Sequence, residues 1–487
     1  MQRSAQALDR KHLIGILIII VYAILVFTVP LLVDKQIAPI LATVTLVMFA
    51  VYVLLALEII HRSVLAILGG IIAVASAIFF GTINAEDSLD FIIESIDFNT
   101  IGLLLGMMII VAILGETGVF HWVGIKAGKI SKGNLWKLML LLCSFTAIVS
   151  MFIDNVTTIL LMVPVTLSIT RTLKVPAIPF ILAQVLVSNI GGAATLIGDP
   201  PNILIGSAAD IDFNSFLIHM GPPIGIVFIL CLFLLKFFFR RELREDQQME
   251  KQSNVHELME RNEEAIIIEN KDALKKALIV LVGVIALFSL QELTHVEFSI
   301  IAIGAAAVLL VITRMPLDKI LREVDWPTLF FFAGLFIIVG VAEEAGLINI
   351  LANIAIDITG GDPWLTFIMI IWLGGIGSAF VDNIPLTATM IPVIQSLNSD
   401  PTILAAFGVE SAFHFSPLWW ALALGADLGG NGTLIGSSAG VVAVGLSEKF
   451  GHRITFNRWF RIGFPFMLIT LAIGTIILPA YLLLISR

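Results

Sequence analysis

The chain has 487 residues, of which 58% are hydrophobic and only 13% charged, with a formal net charge of −9 at pH 7. A soluble domain carries about 25% charged residues, so composition excludes a soluble globular protein and points to a chain that crosses a bilayer many times. Its two cysteines, Cys143 and Cys231, both lie in apolar segments and exclude a disulfide framework.

Arg3, Arg10 and Lys11 precede an apolar run, Leu13 to Val33, long enough to span. It lacks a small-residue cleavage site and reads as a retained first helix, not a removed signal. Further apolar segments follow at 38–60, 62–81, 99–118, 135–170, 176–215, 221–239, 274–290, 296–313, 326–345, 363–398, 402–447 and 462–485. Four of these, 135–170, 176–215, 363–398 and 402–447, exceed the roughly 20 residues of one crossing. Each is interrupted by polar residues, glycine or proline.

Loop charge sets the orientation, because Lys and Arg collect on the cytoplasmic side. The basic loops hold Arg62, Lys126/Lys129/Lys132/Lys137, Arg171/Lys174, Arg240/Arg241/Arg244, Arg314/Lys319/Arg322 and Lys449/Arg453/Arg458/Arg461. The intervening loops 82–98, 208–216 and 291–297 are acidic or neutral, and Lys35 is a small exception. Basic residues at both ends of 135–170 fit a re-entrant hairpin entering from inside, tipped at Asp154-Asn155. The segment 363–398 has none at either end, which fits a hairpin entering from outside, tipped at Asp382-Asn383. The expected fold is all-α: about eleven transmembrane helices and two re-entrant hairpins, with the N-terminus cytoplasmic and the C-terminus outside.

The two halves repeat. SMFIDNVTTILLMVPV (150–165) aligns with SAFVDNIPLTATMIPV (378–393), seven of sixteen identical. GGAATLIG (191–198) aligns with GGNGTLIG (429–436), six of eight identical, and 96–118 aligns with 324–346. The offsets are 228, 238 and 228, in the same order. The chain therefore divides into an extra helix (1–36), a first repeat (37–239), a charged cytoplasmic linker (240–273) and a second repeat (274–487) of opposite orientation. Inverted repeats with broken helices are a transporter architecture, with the site at the membrane midplane.

The broken stretch SNIGGAATLIGDPPN (188–202) holds Gly191, Gly192 and Gly198, the pair Pro200-Pro201 and an ionisable Asp199. Irregular backbone at membrane depth survives only buried in protein or lining a watery cavity. Its counterpart is GADLGGNGTLIGSSAG (425–440). Here Ser437 stands opposite Asp199, and Asp427 opposite Asn189. The candidate ion-binding residues are Asp154, Asn155, Thr157, Thr158, Asn189, Thr195, Gly198, Asp199, Asn202, Asp382, Asn383, Thr387, Asp427, Asn431, Thr433, Ser437 and Ser438. Apart from Gly198 their side chains offer oxygen, and no Lys or Arg occurs between Lys174 and Lys236 or between Asp325 and Glu448. An Arg clamp for a carboxylate or phosphate is missing. A hard cation such as Na⁺ suits this set, with Asp154, Asn155, Asp382 and Asn383 as its expected ligands. A carboxyl group removed from water holds its proton more firmly, so proton and cation can compete for one site.

Glu116 and Glu344 repeat near helix ends and read as interfacial or structural. His219, His295 and His414 fall near outer ends and read as solvated. The runs Phe237 to Phe239 and Phe330 to Phe332 read as lipid-facing or packing residues.

IDNVTTILLMVPVT, SNIGGAATLIGDPPNILI, FVDNIPLTATMIPV and ALGADLGGNGTLIGSSAGVV resemble the ArsB/NhaD branch of the ion transporter superfamily. Within it the chain is most similar to the group of the pigment-cell P protein and its bacterial homologues, over roughly 50–487. The resemblance implies a citrate-transporter-type fold in the inner or plasma membrane, commonly a homodimer with an elevator-type mobile domain. Related dicarboxylate carriers place Ser-Asn-Thr at the hairpin tips, where this chain has Asp154-Asn155-Val156-Thr157 and Asp382-Asn383-Ile384-Pro385. The added acid disfavours a dicarboxylate there.

The leading expectation is a secondary transporter exchanging Na⁺ or Li⁺ for H⁺, not an enzyme, with no cofactor beyond the transported ion and no nucleic-acid partner. Alternatives within the architecture are arsenite or antimonite efflux and a citrate-type anion carrier. An intramembrane aspartyl protease would need a Gly-x-Gly-Asp motif, whereas the chain has Leu196-Ile197-Gly198-Asp199. A passive channel would leave the repeat unexplained.

Overall fold

In the computed structural model, residues 39–57, 60–245, 270–399, 407 and 416–485 are described. The expected N-terminal helix, most of the linker and much of 402–416 lie outside the described residues. Among the described residues every regular element is helical, and seven helices are long and apolar enough to cross a membrane. Shorter apolar helices account for several of the other expected crossings. Apolar side chains at 68–74% exposure, such as Phe233, Val311 and Ile476, suit contact with lipid.

Each overlong segment is split where its sequence is interrupted. The first hairpin consists of helices Leu135–Ser150 and Asn155–Leu173, the second of Pro363–Val381 and Asn383–Asn398. The first broken helix runs as Ile178–Gly192 and Pro200–Ala209, the second as Pro417–Gly429 and Ser438–Lys449. Among the described residues six helices were not anticipated: Ser88–Ser95 within an expected loop, Val119–Ser131, Leu317–Glu323, Leu347–Thr359 and the short Glu242–Glu245 and Gln291–Thr294. At 4 to 13 residues they are too short to span.

The repeat extends to element boundaries. Phe98–Glu116 and Val119–Ser131 recur at the same lengths as Trp326–Glu344 and Leu347–Thr359, each starting 228 residues later. The same offset separates Asn155 from Asn383, the first residues of the two inner hairpin helices. Glu116 and Glu344 are both terminal helical residues, and Glu116 pairs with Lys319.

The described residues form two compact units. The first takes its residues from Met1–Ile101, Asp325–Thr366 and Ala388–Ser411. Its core is a set of buried aliphatic side chains, including Val47, Val51, Leu65, Ile338 and Val341. Helices Arg62–Phe79 and Trp326–Glu344 meet there through small residues: a Cβ on Gly334 would lie 2.4 Å from the backbone carbon of Ala66. Arg62 fixes the end of this pair, donating from Nη2 to Thr328 Oγ1 at 2.7 Å and to Asp325 Oδ2 at 3.5 Å.

The second unit takes Gly102–Val324, Phe367–Thr387 and Ala412–Arg487. A Cβ on Gly106 would lie 2.4 Å from the backbone carbon of Ala302, the same close approach in the other copy of the repeat. In each case a helix of one repeat packs on a helix of the other. Membrane helices associate through such small-residue contacts because lipid offers no hydrophobic drive between them.

His219 corrects the solvated reading. It is half-buried, its ring stacks on Trp420 at 4.6 Å with planes 6° apart, and its Nδ1 lies 2.6 Å from the Ser215 carbonyl. His295 is exposed as expected, and His414 lies outside the described residues.

Gly334→Ala and Gly106→Ala are each expected to lower stability by about 1–3 kcal/mol, since backbone must move to admit the methyl group. Gly283→Ala, whose Cβ would meet nothing within 4 Å, should leave stability unchanged or slightly raised. Thermal unfolding of the three variants in detergent checks this ranking.

Candidate functional site

The site lies within the second unit, where both hairpin tips and both broken helices contribute. Its framework is a set of ties from each hairpin to its own broken helix. Ser150 Oγ donates to the Ser188 carbonyl at 2.8 Å, and Ser378 Oγ to the Ala426 carbonyl at 2.7 Å. Thr195 donates to the Met151 carbonyl and Thr433 to the Ala379 carbonyl. All four ties occupy equivalent places in the two repeats. Glycine permits the approach: a Cβ on Gly191 would lie 2.3 Å from the Ala147 carbonyl oxygen, and on Gly198 2.6 Å from that of Ser150.

Asp199 is fully buried at the start of helix Pro200–Ala209. An acidic residue in this position ordinarily accepts from the amides of the first helical turn. Pro200 and Pro201 carry no such hydrogen; the third amide of the turn, on Asn202, donates to the Asp199 backbone carbonyl at 3.0 Å, and Asp199 makes no side-chain cap. Its carboxylate turns to the hairpin tips instead. Asn155 Nδ2 donates to Oδ2 at 2.6 Å, and Asn383 Nδ2 donates to Oδ1 at 3.2 Å. One carboxylate thus joins both tips. At the equivalent position Ser437 caps its own helix, accepting from the Gly440 amide at 3.3 Å.

A second layer runs through asparagines. Asn155 Nδ2 also donates to Asn189 Oδ1 at 2.9 Å. Asn189 Nδ2 donates to Asn431 Oδ1 at 2.9 Å and to Ser437 Oγ at 3.1 Å. Asn431 Nδ2 donates to the Leu186 carbonyl, and Trp459 Nε1 donates to the Asn431 carbonyl at 3.3 Å. Asn189 therefore links the two repeats at the core of the site.

The two tip acids make contacts of their own. Asp154 Oδ1 caps its helix by accepting from the Thr157 amide at 2.9 Å. Asp382 cannot repeat this, because Pro385 stands where Thr157 donates. It adopts φ +77°, accepts from the Ile384 amide at 3.1 Å, and takes the Ser438 hydroxyl on Oδ2 at 2.7 Å. The hydroxyls of Thr158 and Thr387 bond to the backbone carbonyls of Ile153 and Asn383. Both tip asparagines, rather than both tip acids, meet at Asp199.

Asp427 and Asn202 complete the cluster. Asn202 Nδ2 donates to the carbonyls of Gly192 and Thr195, at 3.1 Å each, and its Oδ1 has no partner. Asp427 is fully buried; neither of its oxygens makes a hydrogen bond of normal geometry, and Asn202 is the side chain that acts on it as a donor. Its repeat mate Asn189 is bonded through both amide atoms. Asp427 acts electrostatically on Asp199 more strongly than Asp382 or Asp154 does. A buried carboxylate without a well-formed hydrogen bond is costly unless a proton or cation balances it. Among the described residues no three Asp, Glu, His or Cys side chains gather as a metal site. A cation here would rely on amide and carbonyl oxygens beside the carboxylates.

Ser150, Ser378 and Trp459 were not singled out from the sequence. The two serines were visible as the identical first residues of the aligned hairpin segments; Trp459 left no local signal.

A family model described as Citrate transporter matches residues 52–425. A 46 kDa membrane protein of Mycobacterium leprae is 39% identical over 432 residues, covering 89% of this chain and 96% of that protein. An uncharacterized transporter of Mycobacterium tuberculosis is 38% identical over 429 residues, covering 88% and 96%. The human P protein is 34% identical over 507 residues, covering 88% of this chain and 58% of that longer protein. The YdaH transporter of Alcanivorax borkumensis shares the fold, with TM-score 0.52 and 14% identity over 82% of this chain and 89% of that one. With its helical spans, twofold sequence repeat and polar membrane-buried centre, the chain belongs to the citrate transporter family of membrane transporters, within the ArsB/NhaD-type superfamily.

Proposed function

We propose that the protein exchanges a monovalent cation, Na⁺ or Li⁺, for H⁺ across the cell membrane, alternately exposing the site to the two sides. The observation that carries this reading is the pair of fully buried acids, Asp199 and Asp427, with no hydrogen bond of normal geometry on Asp427. No lysine or arginine is available in the surrounding sequence to neutralise them. A proton and a small cation are the two ligands that meet the same need at such oxygens, so binding one favours release of the other. Asp199 holds the hairpin tips through Asn155 and Asn383, and its charge state bears directly on how firmly both are held. The working unit is a homodimer, with the N-terminus cytoplasmic and the C-terminus outside.

A second reading, a carrier of citrate-type anions, is favoured by the description of the matching family. Helices starting at Asn155, Pro200, Asn383 and Ser438 all begin at the site, and helix N-termini attract anions. The acid at each tip opposes a free dicarboxylate, so this reading requires the anion to arrive with cations or protons.

Purified protein in proteoliposomes with a lumenal pH dye separates the readings. Addition of Na⁺ or Li⁺ should dissipate an imposed pH gradient, and Asp199→Asn and Asp427→Asn should each reduce the response to that of empty liposomes while the variants remain monodisperse. Cation-driven proton flux retained in both variants would remove the proposal. No flux with any cation, together with uptake of radiolabelled citrate, would establish the anion reading.

Pro201→Ala tests why the Asp199 carboxylate faces inward. The substitution adds an amide at the second position of the turn, beside the Asn202 amide already present, and gives Asp199 a further local donor to cap. Coupled exchange is expected to fall, with thermal stability changed by no more than about 1 kcal/mol.

A further inference from the structure

The sequence places basic residues just after helix Phe213–Phe238 and at the start of helix Phe456–Ile485, more than two hundred positions apart. Within the second unit these two stretches line one cleft of about 760 Å³. Four guanidinium-bearing residues line it: Arg240, Arg241, Arg458 and Arg461. Among the described residues none of the four forms an ion pair, although Glu242 also lines the cleft. Arg240 lies over the Phe237 ring at 5.0 Å.

Four like charges in one cleft repel one another, and an anion relieves that repulsion. Guanidinium groups suit phosphate because their planar donors bind its oxygens in pairs. The location identifies the source of the phosphate. Both stretches belong to loops that charge assigns to the cytoplasmic membrane surface. Beside the arginines, Phe237 and Phe456 are 61% and 46% exposed, which suits acyl chains rather than water. Basic pockets between membrane helices on that face are sites for anionic headgroups.

We propose that this cleft binds the phosphate headgroup of an anionic phospholipid from the cytoplasmic leaflet. The site is separate from the ion-exchange centre, and its assignment does not depend on which ion is carried. It has a physical link to that centre: Trp459, adjacent in sequence to Arg458, donates to the Asn431 carbonyl. Lipid bound at the arginines therefore steadies the helix start that holds the second broken helix.

The test uses the full chain in neutral detergent, titrated with short-chain phosphatidylglycerol and short-chain phosphatidylcholine, with binding read by microscale thermophoresis. Phosphatidylglycerol should bind saturably and phosphatidylcholine should not. Arg458→Gln with Arg461→Gln should weaken binding about twenty-five-fold, at roughly fivefold per arginine. Arg314→Gln with Arg322→Gln, on another basic loop, should leave it unchanged. Equal binding of the two lipids, or equal loss in both double variants, would overturn the proposal. If inorganic phosphate competes at the same concentration as phosphatidylglycerol, the cleft takes free anions and the lipid assignment fails. Should the Arg458/Arg461 variant not fold, Arg240→Gln with Arg241→Gln reads the opposite wall. Unchanged affinity there would likewise overturn it.

Discussion

The carboxylate of Asp199 accepts from the amide of Asn155 and from that of Asn383, and the arrangement of the site depends on this pair of bonds. Two prolines leave it fewer local donors. A carboxylate at a helix start normally satisfies the helix's own first amides; here the first two positions carry no hydrogen, and the third, on Asn202, donates to the Asp199 backbone carbonyl. Ser437 caps its helix through the Gly440 amide, the counterpart of the Asn202 amide, and also accepts from Asn189. Of two otherwise similar stretches, one thus supplies a carboxylate to the centre and the other a hydroxyl. The polarity of the asparagines follows, because a carboxylate requires their nitrogens to face it, and Asn155 then has its second proton left for Asn189.

The same economy appears in the tip acids. Both are aspartates followed by asparagine, yet only Asp154 can cap in the ordinary way. Pro385 removes the amide that Asp382 would need, and the second tip answers with a positive φ and a hydroxyl from Ser438. Aspartate is among the few residues with a side chain that enter this region at modest cost. The repeat therefore conserves the positions of the elements while the chemistry at equivalent positions diverges. One copy carries its fully buried acid at 199, the other at 427.

Much of this was legible in the sequence, because it was written in local and periodic terms. Apolar length gave the crossings, polar interruptions gave the hairpins, and the tips at Asp154-Asn155 and Asp382-Asn383 coincide with the observed starts of the inner helices. The short helices Val119–Ser131 and Leu347–Thr359 escaped because a search for spans ignores what cannot span. Convergence of both asparagines on Asp199 escaped for another reason. Residues 155, 199 and 383 are far apart in sequence, and the repeat pairs 155 with 383 without saying what they meet. Listing every oxygen-bearing residue found the right neighbourhood, but not which threonines spend their hydroxyls on backbone. His219 looked solvated because its position near a helix end was visible and Trp420 beside it was not.

The four hydroxyl ties between hairpins and broken helices have a mechanical consequence. Each ends on a buried carbonyl. Lifting a hairpin tip away like a flap would strand a serine and a threonine in a medium that offers no replacement, at about 1–3 kcal/mol for each buried group left unsatisfied. Glycines 191 and 198 add a geometric lock, since the backbones they join already touch. The softest motion therefore leaves every tie intact and carries hairpin and broken helix together as one rigid piece. On the exchange reading proposed above, access to the centre then changes by where that piece stands in the bilayer, not by how it is folded.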